Sequence, residues 1–217
     1  MSSKTIVLTF DDAVVNHLSF VAPLLKKHRF GATFFVNEPG CFKNSDLKNY
    51  MDWPAMKKLS DLGFEIGNHT RNHPNCSKLG KEEFEAELGW IEDRCREFGI
   101  PAPVTFAYPG GPVAENVIDT LKERGYLCAR SVANETFRPG RDDPFRMSAA
   151  AVQDNSGGLF EEMVRRACGE DVAVLVFHGV PDPEHPWVNT DPKRFEACLN
   201  FLAEQHCLVV SLRDLFA

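Results

Sequence analysis

The stretch TIVLTFDDA, residues 5–13, joins an apolar run to two adjacent aspartates. The apolar run predicts a buried strand, and Asp11 and Asp12 follow at its carboxyl end. Two neighbouring carboxylates repel each other unless a positive group holds them. Taken alone, the pair is more typical of the cap and first turn of a helix, where aspartate is favoured. The residues at the other strand ends decide between these interpretations.

Strand-like apolar runs alternate with segments of helical periodicity along the whole chain. Strands are predicted at 5–10, 32–36, 64–67, 104–107, 127–131, 173–177 and 208–211. Helices are predicted at 18–28, 53–62, 81–98, 113–124, 159–167 and 193–205. Repeated strand–helix units indicate a parallel sheet. We therefore expect an α/β fold, a distorted (β/α) barrel of about seven parallel strands, as a single domain spanning residues 1–217.

Composition excludes several classes of function. The 217 residues carry a net charge of −7 with no extended basic cluster, which argues against a nucleic-acid partner. The longest strictly apolar run, residues 172–177, is far too short to span a membrane. Seven scattered cysteines without a CxxC motif predict neither a disulfide framework nor a cysteine zinc site. We expect a cytoplasmic protein, or a secreted or periplasmic one if a leader was removed.

Other predicted strands also end in residues that suit chemistry. HTRNHP (69–74) places His69 and His73 four residues apart, FAYPGG (106–111) is a rigid turn, and LVFHGV (175–180) ends a strand in His178. Each has an ordinary structural explanation alone. In a parallel barrel, however, the carboxyl ends of the strands meet at one face, where functional residues concentrate. Two histidines and one carboxylate suit a divalent ion with open positions, leaving the second aspartate as a base.

These motifs, in this order, resemble those of the polysaccharide deacetylases of the NodB-homology type, carbohydrate esterase family 4. The resemblance runs from Thr9 to His178 and implies a (β/α) barrel. It implies a metal-dependent hydrolase that removes acetyl groups from N-acetylated sugars or polysaccharide, with metal-bound water attacking the acetamide. One divalent ion is implied, zinc being expected, with cobalt or nickel as alternatives. The oligomeric state stays open.

The resemblance also assigns roles to individual residues. It makes Asp11 the general base and His178 the general acid. The implied metal ligands are Asp12, His69 and His73. Tyr108, Pro109 and Gly110 would line the acetyl pocket, with the Gly110 N–H directed at the oxyanion.

Three departures from the family pattern matter. Ala13 stands where glycine is usual, and Ala107 stands where the third motif usually has an arginine that partners the base. Arg130, at the end of the predicted fifth strand, could supply that cation from a neighbouring strand. The family's aspartate–tryptophan segment, which orients the acid, is missing: Asp142 and Asp154 lie in the appropriate region, but nothing singles either out. Trp187 is a candidate for stacking on a sugar ring.

The same site could serve other bonds. Alternatives are an O-acetyl esterase of the xylan type, a hydrolase of small cyclic amides, and a non-catalytic carbohydrate-binding relative. The loss of the usual arginine at Ala107 keeps the last alternative open. The retention of both aspartates and all three histidines argues against it, because a binding module does not need this complete set.

Overall fold

A computed structural model describes residues 4–217 and contains eight strands, all paired in parallel. The strands are β1 (Thr5–Phe10), β2 (Thr33–Val36), β3 (Glu65–Asn68), β4 (Thr105–Ala107), β5 (Cys128–Arg130), β6 (Ala150–Ala151), β7 (Val172–Phe177) and β8 (Leu208–Val210). The helices are α1 (Ala22–His28), α2 (Trp53–Asp61), α3 (Lys81–Glu97), α4 (Ile118–Glu123), α5 (Leu159–Arg166), α6 (Pro192–Glu204) and α7 (Leu212–Leu215). The predicted α/β barrel architecture is confirmed.

The sheet curls so that its two edges meet. Its order is β5-β4-β3-β2-β1-β7-β6, with β8 paired to β1. The short segment around β6 joins the edges: Met147 N donates to Ala129 O on the β5 side, and Val152 N donates to Val176 O on the β7 side. The sequence analysis missed β6, because its two residues are too few to show any periodicity.

The last strand, predicted at 208–211, pairs with only part of its neighbour. β8 pairs with Thr5–Val7, the first half of β1, whereas β2 pairs with Thr9 and Phe10 in the second half. β8 therefore wedges between β1 and β2 at the amino ends of the strands. Gly31 makes this approach possible, since a Cβ there would lie 2.9 Å from the Ser211 nitrogen.

Two helix predictions also need correction. The predicted helix 18–28 begins with a π-helical turn, His17–Val21, before α1. The predicted helix 113–124 is helical only from a 3-10 turn, Glu115–Val117, onward. No helix within residues 4–217 is both long and apolar enough to cross a membrane.

Alternation along β1 determines where the aspartates point. Ile6, Leu8 and Phe10 pack in the layer between the sheet and the helices, whereas Val7 packs in the cluster inside the barrel. Because successive strand side chains face opposite sides, Asp11 continues the inward-facing series at the carboxyl end. The mouth of the barrel therefore receives this carboxylate.

The opposite end of the barrel is closed around a buried glutamate, Glu65. Its carboxylate accepts hydrogen bonds from the hydroxyls of Thr33 (2.6 Å) and Thr105 (2.8 Å) and from the Arg213 N–H (2.9 Å). Thr33 Oγ1 in turn accepts from Leu212 N at 2.8 Å. This network attaches α7 to the base of the sheet.

Replacing Glu65 by alanine is expected to lower the free energy of unfolding by about 2–3 kcal/mol, because three buried donors lose their acceptor. Urea unfolding followed by circular dichroism measures this change. Glu204→Ala, at an exposed position at the end of α6, is the matched control and should change stability by less than about 0.5 kcal/mol. An equal effect from both substitutions would contradict a structural role for Glu65.

Candidate active site

Asp11 and Asp12 lie at the mouth of the barrel and are almost completely buried, with 3% and 4% of their surfaces exposed. Asp11 continues the sheet, because its N–H donates to Phe177 O at 3.0 Å. The chain then turns through left-handed backbone at Asp12 (φ 69°) and Ala13 (φ 51°). Glycine adopts this conformation without strain, which gives a physical reason why glycine is usual at position 13.

Arg130 contacts Asp11 directly. Its Nη2 lies 2.6 Å from both carboxylate oxygens, and the arginine is 1% exposed. Arg130 on β5 pairs in register with Ala107 on β4. The family pattern has its arginine at the position of Ala107, so in this chain the cation comes from the neighbouring strand. Burial alone would raise the pKa of Asp11, but Arg130, through its charge and its hydrogen bond, and the nearby His69 and His178 together outweigh burial and lower the pKa to about 2. Asp11 is therefore ionised at neutral pH.

Asp12, His69 and His73 form a cluster with the geometry of a metal site. Their ligand atoms all lie within 4.8 Å of one another, and Asp12 Oδ1 is 3.6 Å from His69 Nε2 and 3.7 Å from His73 Nε2. Bonds of about 2.0–2.2 Å around a tetrahedral ion separate ligand atoms by roughly 3.3–3.6 Å. The cluster is therefore close to the required spacing before any ion is added.

The protonation states also fit a cation. His69 donates from Nδ1 to Ala107 O at 2.8 Å, and burial lowers its pKa to about 3, so Nε2 keeps its lone pair. Asp12 accepts a hydrogen bond from Asn37 Nδ2 at 3.2 Å. Burial and the charge of Asp11 raise the pKa of Asp12. A cation bound between the three residues would favour the ionised form of Asp12 and so offset the effect of burial and of Asp11. The three residues therefore fit a divalent metal.

Helix α3 holds the loop between the two histidines. The backbone N–H and the side-chain amide of Asn72 donate to the two oxygens of Glu87 at 2.8 and 2.7 Å. The Arg71 guanidinium lies 3.6 Å from the centre of the Trp90 ring. Since Thr70 and His73 both adopt positive φ angles, 66° and 51°, these contacts hold a strained loop in place.

His178 reaches the same pocket from the end of β7. Its Nε2 lies 4.0 Å from Asp11 Oδ2 and 3.9 Å from Asp12 Oδ2. The sequence analysis missed His17, which is fully buried and whose Nε2 bonds His178 O at 3.0 Å. Burial lowers the pKa of His17 to about 4, so a neutral ring donates this bond and fixes the backbone at His178.

The turn after β4 corrects one expectation. Gly111 N donates to Tyr108 O at 2.9 Å, and Gly110 has φ 75°, as in a type II turn. Gly110 and Gly111 line the pocket, but Tyr108 and Pro109 do not. Tyr108 instead packs against Phe106 and donates from its hydroxyl to Phe145 O at 2.9 Å. Within the described chain, the Gly110 N–H has no protein acceptor.

The pocket has a volume of about 460 Å³, and aromatic side chains form one wall. Trp187, 64% exposed, lies in this wall, and its stacking on a sugar ring stays a prediction. Two other residues of the wall, Phe42 and His185, were not anticipated. The centre of the His185 ring lies 5.3 Å from that of Trp187 and 5.0 Å from that of Phe42. Both come from segments predicted only as loops, where the sequence offers no periodic signal.

Neither aspartate considered as a partner of His178 reaches it. Asp142 pairs with Arg138 on the surface, and Asp154 accepts from Asn189 and from the Asp191 N–H.

The sequence analysis also missed Asn37, which contacts Asp12. It could have been found, because it directly follows β2 at the carboxyl end where the other site residues lie.

Comparisons with known proteins identify the family of this chain. A sequence model of the family described as polysaccharide deacetylase matches residues 1–129. The peptidoglycan-N-acetylmuramic acid deacetylase PdaA of Bacillus subtilis is 33% identical over 126 residues, 57% of this chain and 44% of that protein. The first four curated relatives are matched over 31–45% of their own lengths.

Solved structures extend the similarity to the whole chain. The structure of Bacillus subtilis PdaA, a family 4 carbohydrate esterase, has a TM-score of 0.69 at 25% identity, covering 99% of this chain and 81% of that one. A CE4 family pseudoenzyme from Bacillus anthracis has a TM-score of 0.66 at 20% identity, covering 100% of this chain and 66% of that one. The latter similarity concerns the fold alone.

Proposed function

This chain belongs to the polysaccharide deacetylase family, and we propose that it is a metal-dependent hydrolase that removes acetyl groups from N-acetylated sugars or polysaccharide. The observation that carries the proposal is the buried cluster of Asp12, His69 and His73 beside an ionised Asp11. An acetylated carbohydrate, such as the peptidoglycan on which the relative PdaA acts, is the proposed class of substrate.

Asp12, His69 and His73 would hold the ion, zinc in the first instance. When bound, such an ion supplies Lewis-acid activation of water and of the acyl oxygen. Asp11 lies outside this cluster, and both of its oxygens accept from Arg130 Nη2, so we assign it a different role. Its carboxylate is therefore left to accept a proton from water.

The remaining residues have separate tasks. Arg130 keeps Asp11 ionised and fixes the orientation of its carboxylate. His178, about 4 Å across the pocket from Asp11, donates a proton to the leaving amine. The Gly110 N–H can donate to the oxygen on which negative charge develops. Trp187 offers an exposed aromatic face to a sugar ring.

Acetate release from a panel of substrates tests the proposal. The zinc-loaded chain would be incubated with N-acetylglucosamine oligomers, peptidoglycan, O-acetylated xylan and a cyclic amide. We expect acetate from the N-acetylated substrates. Acetate from xylan alone would identify an esterase, and ring opening alone would identify an amide hydrolase. Sugar binding without any turnover would identify a non-catalytic relative, the class to which the Bacillus anthracis pseudoenzyme belongs.

Glu87 should matter for the metal although it does not touch the ligand cluster. Glu87→Ala frees Asn72, between the two histidines, and is expected to lower zinc affinity by about 10–100-fold, as loss of groups that orient ligands commonly does. Competition with a chromophoric chelator measures the affinity. Glu85→Ala, on the same helix but facing Lys81, is the control. Equal affinities in the two variants would refute this positioning role.

A further inference from the structure

The backbone of His178 lies just beyond the sheet. The pairing of β1 with β7 ends at Phe10 and Phe177, and one further bond runs from Asp11 N to Phe177 O at 3.0 Å. The chain then turns away through left-handed backbone at Asp12. No backbone N–H within residues 4–217 donates to His178 O. The sheet therefore does not hold this residue in place.

His17 supplies the missing donor from the π-helical turn that follows β1. Its Nε2 donates to His178 O at 3.0 Å, and its ring packs against Phe10 and Phe34 with ring centres 5.5 Å away in both cases. The ring is fully buried, and its Nδ1 has no hydrogen-bond partner within residues 4–217. An unpaired buried nitrogen costs free energy that a phenylalanine in this aromatic setting would avoid. The benefit of a histidine here is therefore the Nε2 donor.

Two further side chains hold the next residues of the same loop. Asn16 Oδ1 accepts from Val180 N at 3.0 Å, and Asn16 Nδ2 donates to Pro181 O at 2.6 Å. The carboxylate of Asp182, which is 3% exposed, accepts from Gly179 N at 3.1 Å. These bonds leave the loop little freedom, which limits the positions that the imidazole at its start can take.

The imidazole of His178 has no comparable support of its own. Its Nε2 lies 4.0 Å from Asp11 Oδ2 and 3.9 Å from Asp12 Oδ2, which is too far for a hydrogen bond. Within the described part of the chain, neither Asp142 nor Asp154 reaches it. The orientation of this ring therefore depends on how firmly its backbone is held.

We propose that His17 is a positioning residue for the general acid: by donating to His178 O, it does in this chain what the aspartate–tryptophan segment does in the family pattern. The inference rests on the proposed function, because it takes His178 to protonate the leaving amine. Placement matters for such a group, since proton transfer needs a distance of about 2.6–3.2 Å between donor and acceptor. His17 itself lies behind His178 and touches no reacting atom.

Two substrates with different leaving groups test this role. The N-acetylglucosamine trimer releases an amine that must be protonated, whereas p-nitrophenyl acetate releases a phenolate that leaves without a proton. His17→Phe keeps the aromatic packing and removes the donor. In zinc-loaded protein we expect it to lower kcat for the trimer by about 10–100-fold with KM changed less than about twofold, and to change p-nitrophenyl acetate hydrolysis by less than about threefold.

Three other variants sharpen the comparison. His17→Gln places an amide donor near the position of Nε2 and should recover most of the trimer activity. Asn16→Ala should show the same selective loss, more weakly, because it frees only the residues after the acid. His28→Phe makes the same chemical change at a half-buried histidine of α1 that stacks on Phe30, and it should leave both activities unchanged.

A second measurement does not depend on turnover or on any substitution. Histidine-selective nitrogen NMR of the zinc-loaded chain at neutral pH should show the His17 ring in the neutral tautomer that carries its proton on Nε2, as the bond to His178 O requires. A proton on Nδ1 instead would overturn the inference. Thermal unfolding and elemental analysis identify any variant that fails to fold or loses zinc.

The kinetic outcomes separate this inference from the proposed function. Equal losses with both substrates, no loss with the trimer, or no rescue by His17→Gln would overturn the positioning role. An active starting protein with an unaffected His17→Phe variant refutes that role alone. A starting protein that releases no acetate from the trimer refutes the proposed function, and the positioning role with it.

Discussion

Replacing Asp11 by asparagine is expected to lower turnover by about 10²–10⁴-fold while the protein keeps its metal. Asparagine has nearly the same shape but cannot accept the proton, and a general base typically contributes an effect of this size. Steady-state acetate release, together with elemental analysis of the same sample, measures both properties. Both oxygens of Asp11 contact Arg130, and Asp11 is not part of the ligand cluster. Replacing Asp11 should therefore leave the metal ligands in place.

Asp12→Asn is the matched control, since it makes the same chemical change at the neighbouring residue. There we expect weaker metal binding, because the carboxylate near both histidines is lost. Added zinc should partly restore turnover in Asp12→Asn and should have no effect in Asp11→Asn. The opposite pattern would mean that the roles of the two aspartates are reversed.

Replacing Arg130 by methionine is expected to lower the free energy of unfolding by about 3–5 kcal/mol, because it leaves the buried Asp11 without its counter-charge. It should also move the acidic limb of the pH–rate profile to higher pH. The guanidinium is the largest of the influences that lower the pKa of Asp11 to about 2 against burial, so its removal raises that pKa and the base becomes protonated at a higher pH.

A double-mutant cycle separates this coupling from a general packing defect. With Asp11 already changed to asparagine, Arg130→Met should cost much less stability, since the carboxylate that pairs directly with Arg130 is already gone. Equal costs in the two backgrounds, or an unchanged acidic limb, would contradict the pairing as the source of the effect.

The convergence of the candidate site could be predicted because parallel strands end at one face. Asp11, His69 and His178 are far apart in the chain, yet each follows a strand recognisable from its apolar run. The position of Arg130 was also accessible, because adjacent parallel strands place their ends side by side, and the structure pairs Arg130 with Ala107. Which catalytic role each residue has stays a prediction until it is measured.

Other features depended on tertiary structure. Tyr108 faces outward because it shares a side of its strand with Phe106, while Ala107 between them faces the barrel interior. Because strand side chains alternate between the two faces of the sheet, the sequence alone could have placed the Tyr108 side chain outside the pocket. The positions of Phe42 and His185 could not be inferred, since their loops have no period and are placed by contacts distant in sequence. β8 was found, but its half-length pairing depends on how closely Gly31 approaches Ser211.

The central claim is that Asp12, His69 and His73 hold the ion on which acetamide hydrolysis depends. Its most direct test is acetate release from N-acetylglucosamine oligomers by protein stripped with a chelator and then titrated with zinc. We expect no release from the stripped protein, full recovery at about one equivalent of zinc per chain, and no recovery when His69 and His73 are both alanine. Undiminished release from the stripped protein, or recovery in that double variant, would contradict the claim.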